Sequence, residues 1–334
     1  MNYNTTYTVA INDSYKKLIA SGKVLITMFT PTYNRARFLS RVEDCLLRQT
    51  NQDFVWLIVC DGSNDNTDEV VSRIMQKEKL AIKFINKTNG GKHTAFKVAL
   101  DNTDTKYFEG LDDDDVYDSE LVEFLQTKWR EIKENKLEEV GTIRTLARRP
   151  DGSYSVSFPL TKNMLGKEYI ASKLENDYVN KRVQENLTCY ETSKLRSVDL
   201  FPTDYWLYEK HKFFQEGIWQ YRFARKYKAL FVNRAFREYR DDDEVSLMRQ
   251  PKSYQFFLDR FINAKINIDE QYDYISKNFI FLIKQCIVVN WLRAAANISF
   301  SEMLKHTTLP NLKLLYLLVF PTTFLYQFYV KIKL

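Results

Sequence analysis

Glycine and proline are scarce in this chain, at 9 and 7 of 334 residues, and no segment is repeated along it. This composition excludes collagen-like, low-complexity and repeat architectures. Hydrophobic residues make up 45% of the chain, which is enough for a sizeable core in one large domain or two. The sequence therefore predicts a globular protein.

Paired cysteines and a strong excess of one charge are also lacking. Cys45, Cys60, Cys189 and Cys286 are far apart and form no CxxC pair, so we expect reduced, buried thiols and a cytoplasmic address. Residues 1–22 are polar and lack the apolar core of a signal peptide, so export is not expected. The net charge of +6 is mild and its cations are interspersed with acids, which excludes a nucleic-acid partner and favours a weak attraction to anionic lipid.

Four consecutive carboxylates, Asp112 to Asp115, follow the apolar pair Tyr107-Phe108. Like charges this close repel one another, so such a run is stable either in solvent or around a cation. A calcium loop of the helix-loop-helix type is excluded, because Val116 and Tyr117 stand where that loop needs an oxygen ligand and a glycine. Taken alone, the run leaves a metal site and a solvated surface loop both open.

Apolar runs and helical spacing alternate through the first half of the chain. Val24–Phe29 and Phe54–Cys60 are continuous apolar runs typical of strands buried on both faces, and Phe38–Arg48 between them has helical spacing. Helix, strand, helix and strand patterns follow at residues 65–79, 81–86, 94–100 and 106–110. The alternation predicts an α/β fold with an open, mostly parallel sheet and helices on both faces.

A polar loop follows each of four predicted strands, at Thr30–Asn34, Asp61–Ser63, Asn89–Lys92 and Asp112–Asp115. In open α/β sheets ligands bind outside the carboxyl ends of the strands, so we expect these loops to meet at one edge. Each loop alone is also ordinary turn chemistry, and Gly90-Gly91-Lys92 lacks the spacing of a P-loop. The loops indicate a ligand site only as a group.

The order and spacing of five motifs resemble the family 2 glycosyltransferases. The motifs are Thr30-Pro31-Thr32-Tyr33-Asn34-Arg35-Ala36, Gln49-Thr50 to Asp53-Phe54, Val59 to Ser63 with Asp65 and Thr67, Asn89-Gly90-Gly91-Lys92-His93, and Asp112-x-Asp114-Asp115. The resemblance covers roughly residues 23–239. It implies the GT-A fold, which is the A-type nucleotide-diphospho-sugar transferase fold, and inverting transfer of a sugar from a nucleotide diphosphate.

The resemblance also implies roles for individual residues. Tyr33 would lie against the nucleotide base, Asp61 would accept a hydrogen bond from that base, usually uracil, and Lys92 would approach the diphosphate. Cys60 departs from the pattern, since many members have a second aspartate there. The implied nucleotide-binding residues are Thr30, Pro31, Tyr33, Asn34, Asp61, Gly91, Lys92, Asp112 and Asp113, and the implied ligands of Mn²⁺ or Mg²⁺ are Asp114 and Asp112. A hard cation held by carboxylates would stabilise charge on the leaving diphosphate.

Inverting transfer also needs a general base that takes the proton from the acceptor hydroxyl. Residues 213–233 again resemble the family, in which an acid near this point opens a helix and serves as the base. We predict Glu216 as this base. By position alone Asp204 and Glu209 rank only slightly lower, and His211 competes by its chemistry.

The acceptor side of the site is expected in the segment that follows the acidic run. Apolar spacing predicts a helix over Ser119–Glu134 with Ser119 as its cap, and strands over 141–149 and 153–158 joined by a turn at Pro150–Gly152. A second acidic run, Asp241–Asp243, is interpreted as surface or as a loop that closes over the site.

The C-terminal stretch has a different composition from the rest. Residues 254–296 show helical spacing without a recognisable motif, and Leu312–Val330 is long enough to cross a bilayer but is broken by Pro321. Lysines flank this stretch and acids do not, which favours an interfacial anchor at residues 312–334 on the inner face of the cytoplasmic membrane. A buried helical hairpin and an oligomer contact stay open.

These observations predict a chain of four segments: an N-terminal arm (1–22), a nucleotide-sugar-binding half (23–128), an acceptor-binding half of the same domain (129–245) and a helical C-terminal region (246–334). The predicted function is metal-dependent, inverting transfer from a UDP-sugar to a hydroxyl of a free or lipid-linked glycan, in cell-surface polysaccharide assembly. Two alternatives stay open, a non-catalytic nucleotide-sugar-binding protein of this fold and a sugar-phosphate nucleotidyltransferase. The second would need a glycine-rich, arginine-bearing loop in place of Pro31–Asn34.

Overall fold

The computed structural model describes residues 6–240 and 253–323. These residues divide into two compact units, the first made of residues up to Leu200 together with 220–240, and the second of 201–219 together with 253–323. The acidic run Asp241–Asp243 and the last part of the predicted anchor, residues 324–334, lie outside the described residues.

A ten-stranded mixed sheet forms the first unit. Its strands are β1 Tyr7–Ile11, β2 Ile26–Thr32, β3 Phe54–Cys60, β4 Ile82–Lys87, β5 Tyr107–Gly110, β6 Val116–Tyr117, β7 Val140–Arg148, β8 Glu168–Ala171, β9 Asn186–Glu191 and β10 Lys228–Glu238. The strand order is β1-β4-β3-β2-β5-β9-β7-β10-β6, and β8 pairs with β10. The helices of the chain up to residue 224 are α1 Asp13–Ala20, α2 Ala36–Leu47, α3 Thr67–Gln76, α4 Lys92–Asp101, α5 Leu121–Glu134, α6 Thr192–Arg196 and α7 Glu216–Ala224.

Strands β4, β3, β2 and β5 pair in parallel, and these are the strands that carry the four predicted loops. Every residue of β3 is buried, as its continuous apolar run predicts. Strands β9 and β1 pair antiparallel with the outer members of this group, while β7 and β10 pair with each other in parallel. The predicted α/β fold with flanking helices is confirmed, and its sheet is mixed.

Residues 7–20 belong to the sheet unit, although the sequence suggested only a polar arm. Strand β1 pairs antiparallel with β4, and the amide of Asn12 donates to the carbonyl of Leu80 at 2.8 Å. Asn12 also caps α1 by accepting from the backbone N–H of Tyr15, whose ring packs in the core. All five residues of β1 are exposed, so the strand has no continuous apolar run that could reveal it.

Two local predictions were wrong. Helix α5 begins at Leu121 without a side-chain cap, and the carbonyl of Ser119 instead accepts from the backbone N–H of Thr50 at 2.9 Å. Residues 153–158 form isolated bridges at Tyr154 and Val156 in place of the expected strand. The turn before them is present, with Gly152 at φ +81°, a backbone conformation that favours glycine.

Helices make up the rest of the second unit. They are α8 Tyr254–Glu270, α9 Tyr272–Ile275, α10 Phe279–Ala295, α11 Phe300–Lys305 and α12 Pro310–Val319. Helix α10 packs against both α8 and α12. The predicted helical C-terminal region is thus present. Within residues 6–240 and 253–323, no helix combines the length and the apolar character needed to cross a membrane.

Candidate functional site

The acidic run lies at the carboxyl edge of the parallel strands. The backbone N–H of Leu111 donates to the carbonyl of Phe29 on β2 at 2.7 Å, which fixes the start of the run beside the loop that follows β2. The hydroxyl of Tyr117 on β6 donates to the carbonyl of Asp112 at 3.0 Å, which links the strand after the run to the first aspartate of the run. The sheet therefore brings the first and fourth predicted loops together.

The four aspartates of this run alternate in exposure. The side chains of Asp112 and Asp114 are 28% and 24% exposed, whereas those of Asp113 and Asp115 are 3% and 0% exposed. Burial raises the pKa of Asp113 and of Asp115 to about 7 in each case. Only Asp112 and Asp114 are therefore accessible to a ligand, and these are the two acids that the sequence marked as metal ligands.

Asp112 is ionised between two cations. Its Oδ1 lies 2.6 Å from the Lys92 ammonium and its Oδ2 lies 3.1 Å from Arg237. Burial by itself would raise the pKa of Asp112, but Lys92 and Arg237 outweigh that effect and lower it. The same Arg237 contacts Asp115, whose other oxygen accepts from the backbone N–H of Arg240 at 3.0 Å.

Asp114 and Asp113 share one guanidinium. Arg35 lies 2.5 Å from an oxygen of Asp114 and 3.0 Å from an oxygen of Asp113, and Arg41 donates to the Asp114 carbonyl at 2.7 Å. The guanidinium of Arg35 lies 5.0 Å from the ring centre of Phe38 on α2. The accessible acids are thus neutralised by side chains from three different elements.

Asp61, which is predicted to accept a hydrogen bond from the nucleotide base, is buried and connects two loops. Its carboxylate accepts from the backbone N–H groups of Gly90 and Gly91 at 3.0 and 2.7 Å, and it forms a buried ion pair with Lys87. The side chain of Asn89 donates to the Asp61 carbonyl at 2.8 Å. Asp61 therefore holds the glycine loop in place next to the loop after β3.

Removing the positive partner of Asp61 is expected to lower the stability of the protein. Lys87→Met leaves a buried carboxylate without its counter-charge, so the free energy of unfolding should fall by about 3–5 kcal/mol. Urea unfolding followed by circular dichroism measures the change. The exposed ion pair of Lys97 with Asp101 is the matched control, and Lys97→Met should change the unfolding free energy by less than about 0.5 kcal/mol. Equal losses in the two variants would contradict the role of Lys87.

The loop after β2 is ordered by its neighbours and exposes one ring. Thr30 is buried and accepts from the indole N–H of Trp56 at 3.0 Å, and the adjacent Pro31 is partly buried. Asn34 has φ +53°, and its side chain accepts from the backbone N–H of Asn64 at 2.7 Å. Tyr33 is 44% exposed between these anchored residues. Its ring is available for stacking, as the predicted contact with a base requires.

Gly91 and Lys92 stand at the start of α4. Gly91 precedes the helix with φ +91°, and Lys92 is its first residue. A side chain at Gly90 would meet the hydroxyl of Thr94 at 2.7 Å, so the loop packs closely on the helix. The positive end of the helix dipole favours negative charge at this position.

The residues that fit a metal are few. Among residues 6–240 and 253–323, no three His, Cys, Asp or Glu side chains are grouped so as to hold a metal ion. Asp112 and Asp114 supply hard oxygen donors, which suits Mg²⁺ or Mn²⁺, and such cations are commonly bound by one or two carboxylates together with substrate phosphates. The donor set therefore fits a cation that arrives with a nucleotide diphosphate better than one bound by protein alone.

Glu216 is exposed and is the first residue of α7, in agreement with the prediction that an acid opens a helix here. Residues 201–219, which include Glu216 and the other three base candidates, belong to the second unit. His211 packs against Phe214, and its Nδ1 contacts the carbonyl oxygen of Tyr208. Burial lowers the pKa of His211 to about 4, which makes it a weak base at neutral pH.

Sequence reasoning missed the cations of this site. Arg35 stands inside the first quoted motif, where an arginine after a polar turn could have suggested a partner for the acidic run. Arg237 gave no such signal, because its contact with Asp112 depends on the pairing of β10 with β6 across more than a hundred residues. Lys87 lies one residue beyond the predicted strand at 81–86 and was not singled out.

The sheet, its flanking helices and the loops at its carboxyl edge define an α/β fold of the nucleotide-diphospho-sugar transferase class. TarS of S. aureus, residues 1–349 in complex with UDP-GlcNAc, matches with a TM-score of 0.51 at 14% identity over 89% of this chain and 79% of that chain. The same TarS residues crystallised without that ligand match with a TM-score of 0.52 at 15% identity over 90% of both chains.

A family model and two relatives match parts of the sequence. Residues 27–135 match the model of Glycosyl transferase family 2, and this segment belongs to that family. Chondroitin synthase of Pasteurella multocida is 32% identical over 129 residues, which are 39% of this chain and 13% of that protein. Glycosyltransferase GlyA of Streptococcus pneumoniae is 27% identical over 190 residues, which are 57% of this chain and 25% of that protein. The chain thus matches at most a quarter of the length of these two relatives.

Proposed function

We propose that this protein transfers a sugar, with inversion, from a UDP-sugar to a hydroxyl of a free or lipid-linked glycan, and that the transfer depends on Mn²⁺ or Mg²⁺. The observation that carries the proposal is the edge where the family-matching segment puts Asp112 in contact with Lys92 at the start of α4, with the second accessible acid, Asp114, two residues further along the chain. At this edge, a carboxylate of the kind that binds hard cations contacts an ammonium group of the kind that binds phosphate. A role in cell-surface polysaccharide assembly extends this proposal.

The donor side of the reaction requires recognition of a base and of a diphosphate. Tyr33 offers an exposed ring beside the buried Asp61, and the loop that Asp61 holds leads directly into Lys92. The S. aureus TarS neighbour is in complex with UDP-GlcNAc, which supports a UDP-sugar as donor. We assign Thr30, Pro31, Asn34, Gly91 and Asp113 to the supporting framework of the same nucleotide site.

The cations of the site couple the binding of the metal ion to the binding of the nucleotide. Lys92, Arg35 and Arg237 neutralise the accessible acids, so a metal ion by itself must compete with these side chains for Asp112 and Asp114. A diphosphate offers the same cations a new partner and releases the carboxylates. When bound, the metal would neutralise charge on the departing diphosphate. Metal and nucleotide binding should therefore strengthen each other.

The acceptor side requires a base. Glu216 is an exposed carboxylate that opens a helix, and we propose that it takes the proton from the acceptor hydroxyl as the new glycosidic bond forms. His211 is disfavoured because its ring packs against Phe214 and its Nδ1 contacts the carbonyl oxygen of Tyr208. A non-catalytic binding protein of this fold would not need the carboxylate of Glu216, so the effect of its removal distinguishes the two functions.

A pH experiment tests the environment of His211. Its pKa of about 4 lies below the value of 6.5 for an ordinary histidine, so the unfolded chain binds the proton more tightly between these pH values. The contribution of His211 to the free energy of unfolding is therefore complete above pH 6.5 and is lost as the pH falls. Between pH 7.5 and pH 5.0 the loss should be about 2 kcal/mol of unfolding free energy.

Urea unfolding of the wild type and of His211→Gln at these two pH values checks this. The difference between the two proteins isolates the histidine from the other titrating groups. An identical pH dependence in both proteins would show that His211 titrates normally.

Calorimetric titration with a panel of nucleoside diphosphates, with and without Mn²⁺, tests the donor proposal. We expect UDP to bind at least about tenfold more tightly with Mn²⁺, and Mn²⁺ alone to bind weakly. Asp114→Asn should abolish the effect of the metal, whereas Asp101→Asn, at an exposed and ion-paired aspartate on α4, should leave it intact. The absence of nucleotide binding with or without metal would contradict the site.

A further inference from the structure

Two helices of the second unit expose large apolar side chains. On α10, Phe279 and Ile280 are 61% and 69% exposed, and on α12 the three leucines Leu314, Leu317 and Leu318 are 51–67% exposed. Isolated exposed apolar residues are normal, but a group of this size on adjoining elements marks an interaction surface. We refer to Phe279, Ile280, Val288, Leu314, Leu317 and Leu318 as the α10–α12 patch.

The two helices that carry the patch are joined directly. The indole N–H of Trp291 on α10 donates to the carbonyl of Thr322, just beyond α12, at 3.0 Å. The amide of Asn290 reaches the carbonyl of Tyr316 at 3.5 Å, and the Tyr316 side chain is fully buried. The opposite sides of both helices thus form the core of the unit, and the patch is what remains outside.

The chain segment that carries the patch is rich in cations. Residues 274–334 contain seven Lys and Arg and a single acid, Glu302, so this segment alone carries a net charge of +6, as large as that of the whole chain. Lys277, Lys284 and Lys305 are exposed on the helices or at their ends. Lys284 lies one turn from both Ile280 and Val288 on the same side of α10. Apolar and cationic groups therefore alternate on this surface.

This combination favours one kind of partner. A second copy of the chain would bring two segments of net charge +6 together, and like charges across an interface oppose association. An anionic lipid surface attracts the lysines and accepts the apolar side chains at the boundary between headgroups and acyl chains. The sequence beyond the described residues continues in the same character, with Phe324-Leu325-Tyr326 and two further lysines.

We infer that the α10–α12 patch docks this protein on an anionic lipid surface. The patch includes α10, which lies outside the predicted anchor at residues 312–334, and it needs no helix that crosses the bilayer. The inference deepens the proposed function, because it names the surface on which a lipid-linked acceptor is met. Lipid binding is measured without nucleotide, so its failure would leave the transfer proposal standing.

Sedimentation of the full-length protein with vesicles tests this inference. We expect binding to phosphatidylcholine vesicles that contain phosphatidylglycerol, much weaker binding to pure phosphatidylcholine, and a loss of binding as salt is raised. The triple variant L314S/L317S/L318S should lower the partition coefficient by at least about tenfold. A helical circular dichroism signal and a urea unfolding curve like those of the wild type would show that this variant is folded.

A matched control uses exposed apolar residues of the first unit. Val179 and Val183 are each 49% exposed, and V179S/V183S should bind vesicles as the wild type does. Equal binding by the triple variant and the wild type would overturn the inference, as would wild type that fails to bind anionic vesicles. A dimer in light scattering that the triple variant dissociates, without vesicle binding, would assign the patch to a second copy instead.

Discussion

Asp114→Asn should lower kcat/KM for sugar transfer by at least about a thousandfold. The substitution removes an accessible carboxylate and its charge while keeping the size of the side chain, so stabilisation of the departing diphosphate is lost with little change in packing. Steady-state release of the nucleoside diphosphate from a UDP-sugar, measured with Mn²⁺ at saturating concentration, gives the rate. The loss should appear in kcat as well as in KM.

The neighbouring acid provides a sharp comparison for that result. Asp113→Asn changes a buried side chain that Arg35 contacts at 3.0 Å, and burial already raises the pKa of Asp113 to about 7. The Asp113 side chain is 3% exposed and is not accessible to a ligand, so its amide variant should keep far more activity than Asp114→Asn does. Equal losses in both variants would contradict the division of the run into accessible and buried acids.

Glu216→Gln should lower kcat by about a hundredfold to ten-thousandfold, the range typical of a lost general base. Binding of UDP with Mn²⁺ should be unchanged, because Glu216 is not assigned to the donor site. Steady-state kcat, together with calorimetry of UDP, is the measurement.

Asp204→Asn and Glu209→Gln are the matched controls, because the sequence ranked these acids only slightly below Glu216. Both variants should keep rates within a fewfold of the wild type. If one of them loses activity and Glu216→Gln does not, the base is assigned to the wrong acid of this segment. Full activity in all three variants would favour a reaction without any of these carboxylates as base.

Local apolar patterns predicted the parallel half of the sheet because each of its strands is buried on both faces. Strand β3 was predicted with its observed bounds, and the loops that follow these strands lie together as expected for open α/β sheets. Strand β1 was not predicted, because its residues are exposed and its pairing with β4 involves partners more than seventy residues away. Tyr7, Val9 and Ile11 alternate as strand residues do, but this run is too short to stand out from the polar residues around it.

The acids of the candidate site were evident from the sequence, but their electrostatic state was not. Four consecutive aspartates look equivalent in a sequence, and only the turn of the backbone between β5 and β6 buries two of them and exposes the others. Arg237 reaches the acidic run only because β10 pairs with β6, and no residue near Arg237 in the sequence indicates this pairing. Long-range pairing therefore decides which charges the acids meet.

The pairing of β5 with β9 has a consequence for fragments of this protein. The family-matching residues 27–135 include β3 to β6, the whole of α5 and all but the first residue of β2, but β1 and β9, which cover the two outer sides of this strand group, lie outside that segment. A protein trimmed to those residues would expose two rows of unpaired backbone groups, at β4 and at β5, and would lack Arg237. Expression of that fragment should yield aggregated material, so the smallest useful piece for crystallisation begins before Tyr7 and extends beyond β10.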